Sequence, residues 1–302
     1  MKNDPIETAL AQLDQAAPEA LRKALGSKYS LVIGKAARLI GDSLLPDCTE
    51  PLASAFARLI SKPESDKGCL ALTAIARSLV RLDHDEAALF RRGMKHVQME
   101  GTYGGSVDVA AEFRATCAMG LANSRDHRKL QALVELLADR EWPARAGAVK
   151  AIATVGSDAA ALLLRYKALL GDPEPDVLSE CLAGLIAVDG AEALPFVGRI
   201  AESRDRDTRE AAILALGASR RPDAVEWLKT RFEQVADPDT KKCIVLALAS
   251  ARTEGAMDYL LEIVRSSSTQ LAAAAAAAMG ISDEVRKAAQ ARPDAATFLR
   301  GQ

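Results

Sequence analysis

The sequence predicts an all-α chain built as an α-solenoid of about eight stacked helix pairs, and three observations carry that prediction. The first is a recurring pattern: a turn marked by Asp or Pro, an alanine-rich helix, a second turn and a second helix. Aligning the second residue of each copy gives Leu31, Gly68, Val109, Ala144, Val177, Thr208, Thr240 and Gln270, whose successive differences are 37, 41, 35, 33, 31, 32 and 30 residues. A period near thirty with two helices per copy marks a helical array, because one helix pair cannot bury its apolar stripe and copies must stack. The second observation is composition. Hydrophobic residues make up 49% of the chain but aromatics only 4%, with alanine and leucine plentiful, which suits close helix packing and disfavours sheets. The third is length: 302 residues would suggest about two globular domains, but an internal repeat overrides that rule.

Taken in order, residues 5–13 read as a helix with Asp4 as N-cap and Pro5 at its first position, and residues 18–25 as a second helix closed by Gly26. Together, residues 1–27 are expected to cap an array spanning 28–280. The repeat is clearest at 143–156, where small residues line one side of a short helix. Ser157-Asp158 then caps a helix over 159–170, and Gly171-Asp172-Pro173 turns the chain. Further first helices follow at 176–186, 207–217 and 239–248. The second helices are expected at 51–60, 86–98, 128–137, 159–170, 191–202, 222–235 and 255–265. The last copy, 271–279, is almost pure alanine, with high helix propensity and little apolar area to bury. A charged helix starting near Ser282 suits a polar end cap over 281–302.

The best-formed copy is Asp207-Thr208-Arg209-Glu210-Ala211-Ala212 with Ala215-Leu216-Gly217, and Asp172-Pro173 and Asp237-Pro238 supply turns between copies. This pattern resembles HEAT repeats, in particular the short HEAT-like kind found in relatives of phycobilisome lyases. The copies at Leu31 and Gly68 depart from it, lacking the Asp and Arg. The resemblance covers roughly 28–280 and implies a right-handed solenoid, first helices on the convex side and second helices lining a concave groove. Most such arrays are scaffolds that grip a protein or peptide, an expectation by analogy of fold.

Chemistry-bearing patterns are sparse. A formal net charge of −2 gives no push toward nucleic acid or anionic membrane. Between Arg199 and Arg209, four arginines (199, 204, 206, 209) meet Glu202, Asp205 and Asp207, a local net of +1 that reads as a solvated turn ladder. DNA-repair glycosylases with HEAT-like arrays use a basic groove with aromatics, whereas this chain has only Trp142 and Trp227, more than two copies apart. Cys48, Cys69, Cys117, Cys181 and Cys243 form no C-x-x-C pair and sit among alanines and leucines, as core residues do. Some HEAT enzymes bind iron through His-Glu dipeptides, but the three histidines stand in His84-Asp85, His96-Val97 and His127-Arg128. No metal or cofactor is therefore expected. Gly34-Lys35-Ala36 lacks the remainder of a phosphate loop, and Gly101-Thr102-Tyr103-Gly104-Gly105 has no predicted strand before it. The first residues lack an apolar signal core, and the alanine run at 271–281 is too short to span a bilayer, so a cytoplasmic location is the default.

What remains is 96–106, at the junction where the spacing is longest. Here a helix over 86–98 would put Arg92, Lys95 and His96 on one face, with Gln98 and Glu100 at its end. The glycine-rich loop 101–106 would then hold Tyr103 out as its only large side chain. Arg92, Lys95, His96, Gln98, Glu100 and Tyr103 are accordingly the expected partner-binding set. The expected function is a non-catalytic scaffold for a protein or peptide partner. The alternative is a nucleic-acid-processing or lyase-type enzyme on a HEAT-like array, for which no nucleophile, acid–base pair or ligand set is visible.

Overall fold

Helix pairs make up nearly all of the structure, a computed structural model that describes residues 5–14, 16–280 and 282–291. The helices fall into two compact units, Met1–Gly156 and Ser157–Gln302. The first contains α1 (Pro5–Ala11), α2 (Pro18–Ala24), α3 (Ser30–Asp42), α4 (Thr49–Ile60), α5 (Leu70–Arg81), α6 (Ala87–Met94), α7 (Ala111–Asn123), α8 (Lys129–Leu136) and α9 (Trp142–Val155), with strands β1 (Met99–Thr102) and β2 (Gly105–Asp108) between α6 and α7. The second contains α10 (Asp158–Leu170), α11 (Pro175–Asp189), α12 (Leu194–Ile200), α13 (Arg206–Ala218), α14 (Pro222–Gln234), α15 (Pro238–Ala251), α16 (Glu254–Ser266), α17 (Thr269–Met279) and α18 (Asp283–Gln290).

Within each unit the first helices of successive copies pack as a ladder: α3 on α5, α5 on α7 and α7 on α9, then α11 on α13, α13 on α15 and α15 on α17. Small residues allow this close approach. A Cβ added at Gly147 would lie 2.3 Å from the Ala115 Cβ, and one at Gly217 would lie 2.2 Å from the Ala247 carbonyl oxygen. Each second helix packs against the first helix of the next copy, as α4 does on α5, α6 on α7, α14 on α15 and α16 on α17. The buried side chains are mainly leucine, isoleucine, valine and alanine, with Phe56, Phe90 and Phe113 filling the first unit. Phe56 and Phe113 sit 5.3 Å apart, ring centre to ring centre.

The turns between copies follow from the residues that mark them. Asp205 and Asp237 cap α13 and α15 by accepting from the Thr208 and Thr240 amides at 2.8 and 2.9 Å. An arginine two residues after the second helical position then reaches back to the preceding turn. Arg209 donates to the Ser203 carbonyl at 3.0 Å, and Arg145 donates to the Asp139 and Arg140 carbonyls at 3.0 Å. Arg114 occupies the same position in α7. The arginine serves the array by satisfying carbonyls that the turn would otherwise leave bare.

The expected second helices at 51–60, 159–170, 222–235 and 255–265 correspond to α4, α10, α14 and α16 to within about two residues. The helix expected over 191–202 opens as a 3-10 turn, Gly190–Ala193, and is α-helical only through α12. Pro175–Ile200 has the length and apolar composition to cross a membrane, but it is α11, that turn and α12 in series, with half of its most apolar window buried.

The largest departure lies at 86–108. The helix expected over 86–98 stops at Met94, and the loop expected over 101–106 is a β-hairpin with Met99 paired to Asp108 and Thr102 to Gly105. The physical reason lies in Gln98: its side chain is drawn into a buried polar site beside α5, which pulls the chain out of helical geometry.

Candidate recognition site

The hairpin is held at its root by two polar clusters, centred on Asp66 and Arg114, neither of which is in the expected set. The first is built around Asp66. Gly68 and Cys69 take left-handed backbone conformations, φ 72° and 52°, and turn the chain into α5. This lets the buried Asp66 carboxylate accept from the Ala71 and Leu72 amides at 3.0 and 2.8 Å, capping the helix from within the core. The Gln98 amide group donates to the Asp66 carbonyl at 2.9 Å and to Glu100 at 2.7 Å, and its oxygen lies 3.1 Å from the Cys69 sulfur. Glu100 also accepts from the Gly68 amide at 2.7 Å. Strand β1 is thus stitched to the turn that begins α5.

The second cluster anchors β2. Asp108 accepts from the Gln98 and Ala110 amides at 3.1 and 3.0 Å and from the Arg114 guanidinium at 2.7 Å. Arg114, only 2% exposed, donates onward to both oxygens of Asp139 at 2.8 Å and to the His96 carbonyl at 2.9 Å. One arginine therefore joins the hairpin, α7 and the turn before α9. A buried charge survives only when paired and hydrogen-bonded, and here each side of the guanidinium has its carboxylate.

The titration of these groups follows from their surroundings. Burial pushes the Asp66 carboxyl up, aided by nearby Glu100, and outweighs the α5 amides that favour its charged form. Burial would also raise Asp108, but there the Ala110 and Gln98 amides and Arg114 win and hold it below the usual carboxylate range. Glu100 is lowered by the Gly68 amide and the Gln98 side chain. The Cys69 thiol is pushed up to about 12 by burial and by Asp66, Glu100 and Asp108. Burial first of all lifts Cys181 and Cys243 to about 12, and Cys117 well above its ordinary value. These four thiols stay protonated at neutral pH and are poor nucleophiles.

Beyond its root the hairpin buries almost nothing. Val97, Met99 and Val107 are 60%, 57% and 47% exposed, and Tyr103 at the turn is fully exposed. Gly104 beside it has φ 104°, which the two-residue turn requires. A Cβ at Gly101, Gly104 or Gly105 would meet no atom within 4 Å. Among the described residues neither strand has a second partner, so both edges are open.

The six residues expected to bind a partner divide sharply. Tyr103 stands at the exposed tip. Arg92, on α6, is exposed and donates to the Ser61 hydroxyl at 3.1 Å. Lys95 is also exposed but follows the end of α6, beside a small hollow of about 190 Å³ lined with Arg91, Met94 and Asp139. His96 is half-buried, edge-on to Phe113 at 5.7 Å and 3.2 Å from the Gln98 oxygen. Gln98 is buried and Glu100 half-buried, and both hold the hairpin root. The helical face expected to unite Arg92, Lys95 and His96 does not form, because α6 ends before Lys95. Asp66, Asp108, Arg114 and Asp139 were absent from the expected set. Only Arg114 had a legible signal: it precedes Arg145 by 31 residues and Arg209 by 95, both multiples of the repeat to within a residue or two.

Elsewhere the arginine ladder is consumed locally: Arg206 pairs with Glu210 at 2.7 Å, Arg221 with Asp223 at 2.8 Å, and Arg199 lies over the Phe196 ring. His84 lies in the turn before α6, 3.3 Å from Glu86. Among the described residues, no group of three or more His, Cys, Asp and Glu is placed to hold a metal ion.

The family model for HEAT repeats matches residues 165–242. Two solved structures align with 99% of the chain. One is the complex of CpcE and CpcF of phycocyanin lyase from Nostoc sp. PCC7120, at 16% identity over 96% of that chain with a TM-score of 0.36. The other is an engineered protein, at 17% identity over 87% of that chain with a TM-score of 0.35. No curated protein matches the sequence. Residues 165–242 are thus matched as HEAT repeats, and the stacked helix pairs of each unit have the form of a HEAT-like α-solenoid.

Proposed function

We propose that the chain is a non-catalytic scaffold that holds a protein or peptide partner along the groove its second helices would line, with the hairpin Met99–Asp108 as a recognition element. In this reading residues 1–27 and 281–302 cap the array, and the protein works in the cytoplasm. One observation carries the proposal: two buried polar clusters fix a hairpin whose own apolar side chains, Met99, Val107 and Tyr103, remain in solvent. Ordering those groups in solvent gains no burial within the chain, whereas a rigid exposed aromatic on a short turn is what interface anchors are made of. Arg92 and Lys95, exposed at the end of α6, would supply polar contacts, whereas His96, Gln98 and Glu100 would act indirectly by holding the root.

The test compares affinity capture by the wild-type chain with capture by a variant carrying Met99→Thr, Tyr103→Ser and Val107→Thr, which keeps the backbone and the root intact. The proposal expects the same melting temperature and loss of the captured protein. Retention of every captured protein by the variant would sink it.

A further inference from the structure

A second surface of the first unit, remote from the hairpin tip in chemistry, has its own character. It lies on the face of the first helices α3 and α5. Leu31, Lys35 and Arg38 follow one another at i, i+4 and i+7 on α3, and Leu70, Ala74 and Arg77 do so on α5, so both helices present the same stripe. Together they line a groove of about 500 Å³, which continues through Arg38, Ala74 and Arg77 into a hollow of about 470 Å³ bordered by Arg81. Leu31 and Leu70 are 51% and 58% exposed.

The charges along this groove are unbalanced. Its lining carries Lys35, Arg38, Arg77 and Arg81 against Asp42 and Glu112, four cations to two carboxylates, on a chain whose net charge is −2. Arg81 is engaged by Asp42, and Lys35 by Asp14 at 2.5 Å and the Leu10 carbonyl. Arg77 reaches Glu112 only at 3.7 Å, with both side chains well exposed. Arg38 is exposed and has no ion pair or hydrogen bond among the described residues. Neither Arg38 nor Arg77 lies in the last turn of its helix, so the helix dipole does not account for them.

We infer that this groove takes an acidic, extended peptide segment, with apolar side chains on Leu31 and Leu70 and carboxylates on Arg38 and Arg77. The spacing supports the match. Packed helices lie about 8–10 Å apart, and same-side residues of an extended chain recur every second residue, about 6.6 Å apart, so within the reach of the long guanidinium side chains carboxylates two residues apart meet both arginines and leave the alternate side chains for the leucines. Two guanidiniums side by side, each with a leucine two turns along, form a repeated pair of sockets that a single strand crosses.

The test uses fluorescence polarisation with a fluorescein-labelled peptide of alternating leucine and glutamate, its leucine–lysine counterpart, and a labelled single-stranded oligonucleotide. The acidic peptide should bind, the basic one should not, and affinity should fall as salt is raised. Arg38→Glu with Arg77→Glu should weaken binding by at least about tenfold, since reversal replaces two attractions by repulsions. Circular dichroism melts should match the wild type, because both sites are exposed. Leu31→Ser with Leu70→Ser provides a second, uncharged variant with the same expected loss. The hairpin variant should bind the peptide normally, which separates this surface from the recognition element above. Equal binding of acidic and basic peptides, unaltered binding by the reversed variant, or tighter binding of the oligonucleotide would each overturn the inference.

Discussion

Replacing Arg114 by Met tests whether the buried arginine holds the hairpin root. Methionine fills much of the same volume with no charge, leaving Asp108 and Asp139 facing each other without their shared cation. Their side chains are only 8% and 14% exposed, so water cannot restore what is lost. Removing one partner of a buried pair typically costs about 3–5 kcal/mol. At about 2–4 °C per kcal/mol for a domain of this size, the melting temperature should fall by roughly 6–20 °C. The loss should also depend on pH. In the wild type the Asp108 carboxyl is held low, so its contribution is fully present above the unfolded value of about 3.9 and fades as pH falls through the folded one. Without the guanidinium, burial is opposed only by the Ala110 and Gln98 amides, and protonating the carboxyl becomes easier. The gap between wild type and variant should therefore narrow below about pH 4. Urea denaturation at neutral and acid pH measures this, and amide exchange of residues 99–108 shows whether the hairpin loosens before the helices. A loss under about 1 kcal/mol at neutral pH, or an equal loss at both pH values, would refute the reasoning.

Three other outcomes are expected. Gly217→Ala should destabilise by about 1–3 kcal/mol or more, because the new methyl meets Ala247 backbone at 2.2 Å, whereas Gly101→Ala, open on all sides, should be close to neutral; chemical denaturation compares them. Tyr103→Ala should leave the melting temperature unchanged while reducing partner capture, and a marked loss of melting temperature would show that the tyrosine packs against the fold. Cys69, Cys117, Cys181 and Cys243 should resist iodoacetamide at neutral pH until denaturant is added, as mass spectrometry of tryptic peptides can show.

The helical array was legible because its signals are local and repeated. Asp-Pro turns, paired alanines and the Arg145 and Arg209 positions recur at a fixed period, and each copy reinforces the reading of the next. The hairpin was not, because Met99-Glu100-Gly101-Thr102 and Gly105-Ser106-Val107-Asp108 hold two glycines and little of the β-branched or aromatic content that marks strands. Its pairing is imposed by contacts with residues far off in sequence: Glu100 with Gly68, and Asp108 with Arg114. Asp66 escaped notice for a related reason. The left-handed residues Gly68 and Cys69 displace it from the usual capping position, so the copy reads as lacking its Asp although the carboxylate has only moved. Tyr103 was legible as an exposed aromatic because glycines flank it, whereas the burial of Gln98 depends on a pocket that no nearby residue announces.

The principal packing contacts in each unit join helices no more than two apart in helix order. Such neighbour-only wiring leaves the seams between copies almost independent of one another. Material added at one seam displaces nothing at a distance, so it need satisfy only the two copies it separates. The hairpin is an addition of this sort, settled by a few buried polar groups on either side. The same freedom applies at every other seam, which makes the array a frame on which new surface elements can be tried singly, each at a local cost and without renegotiating the core.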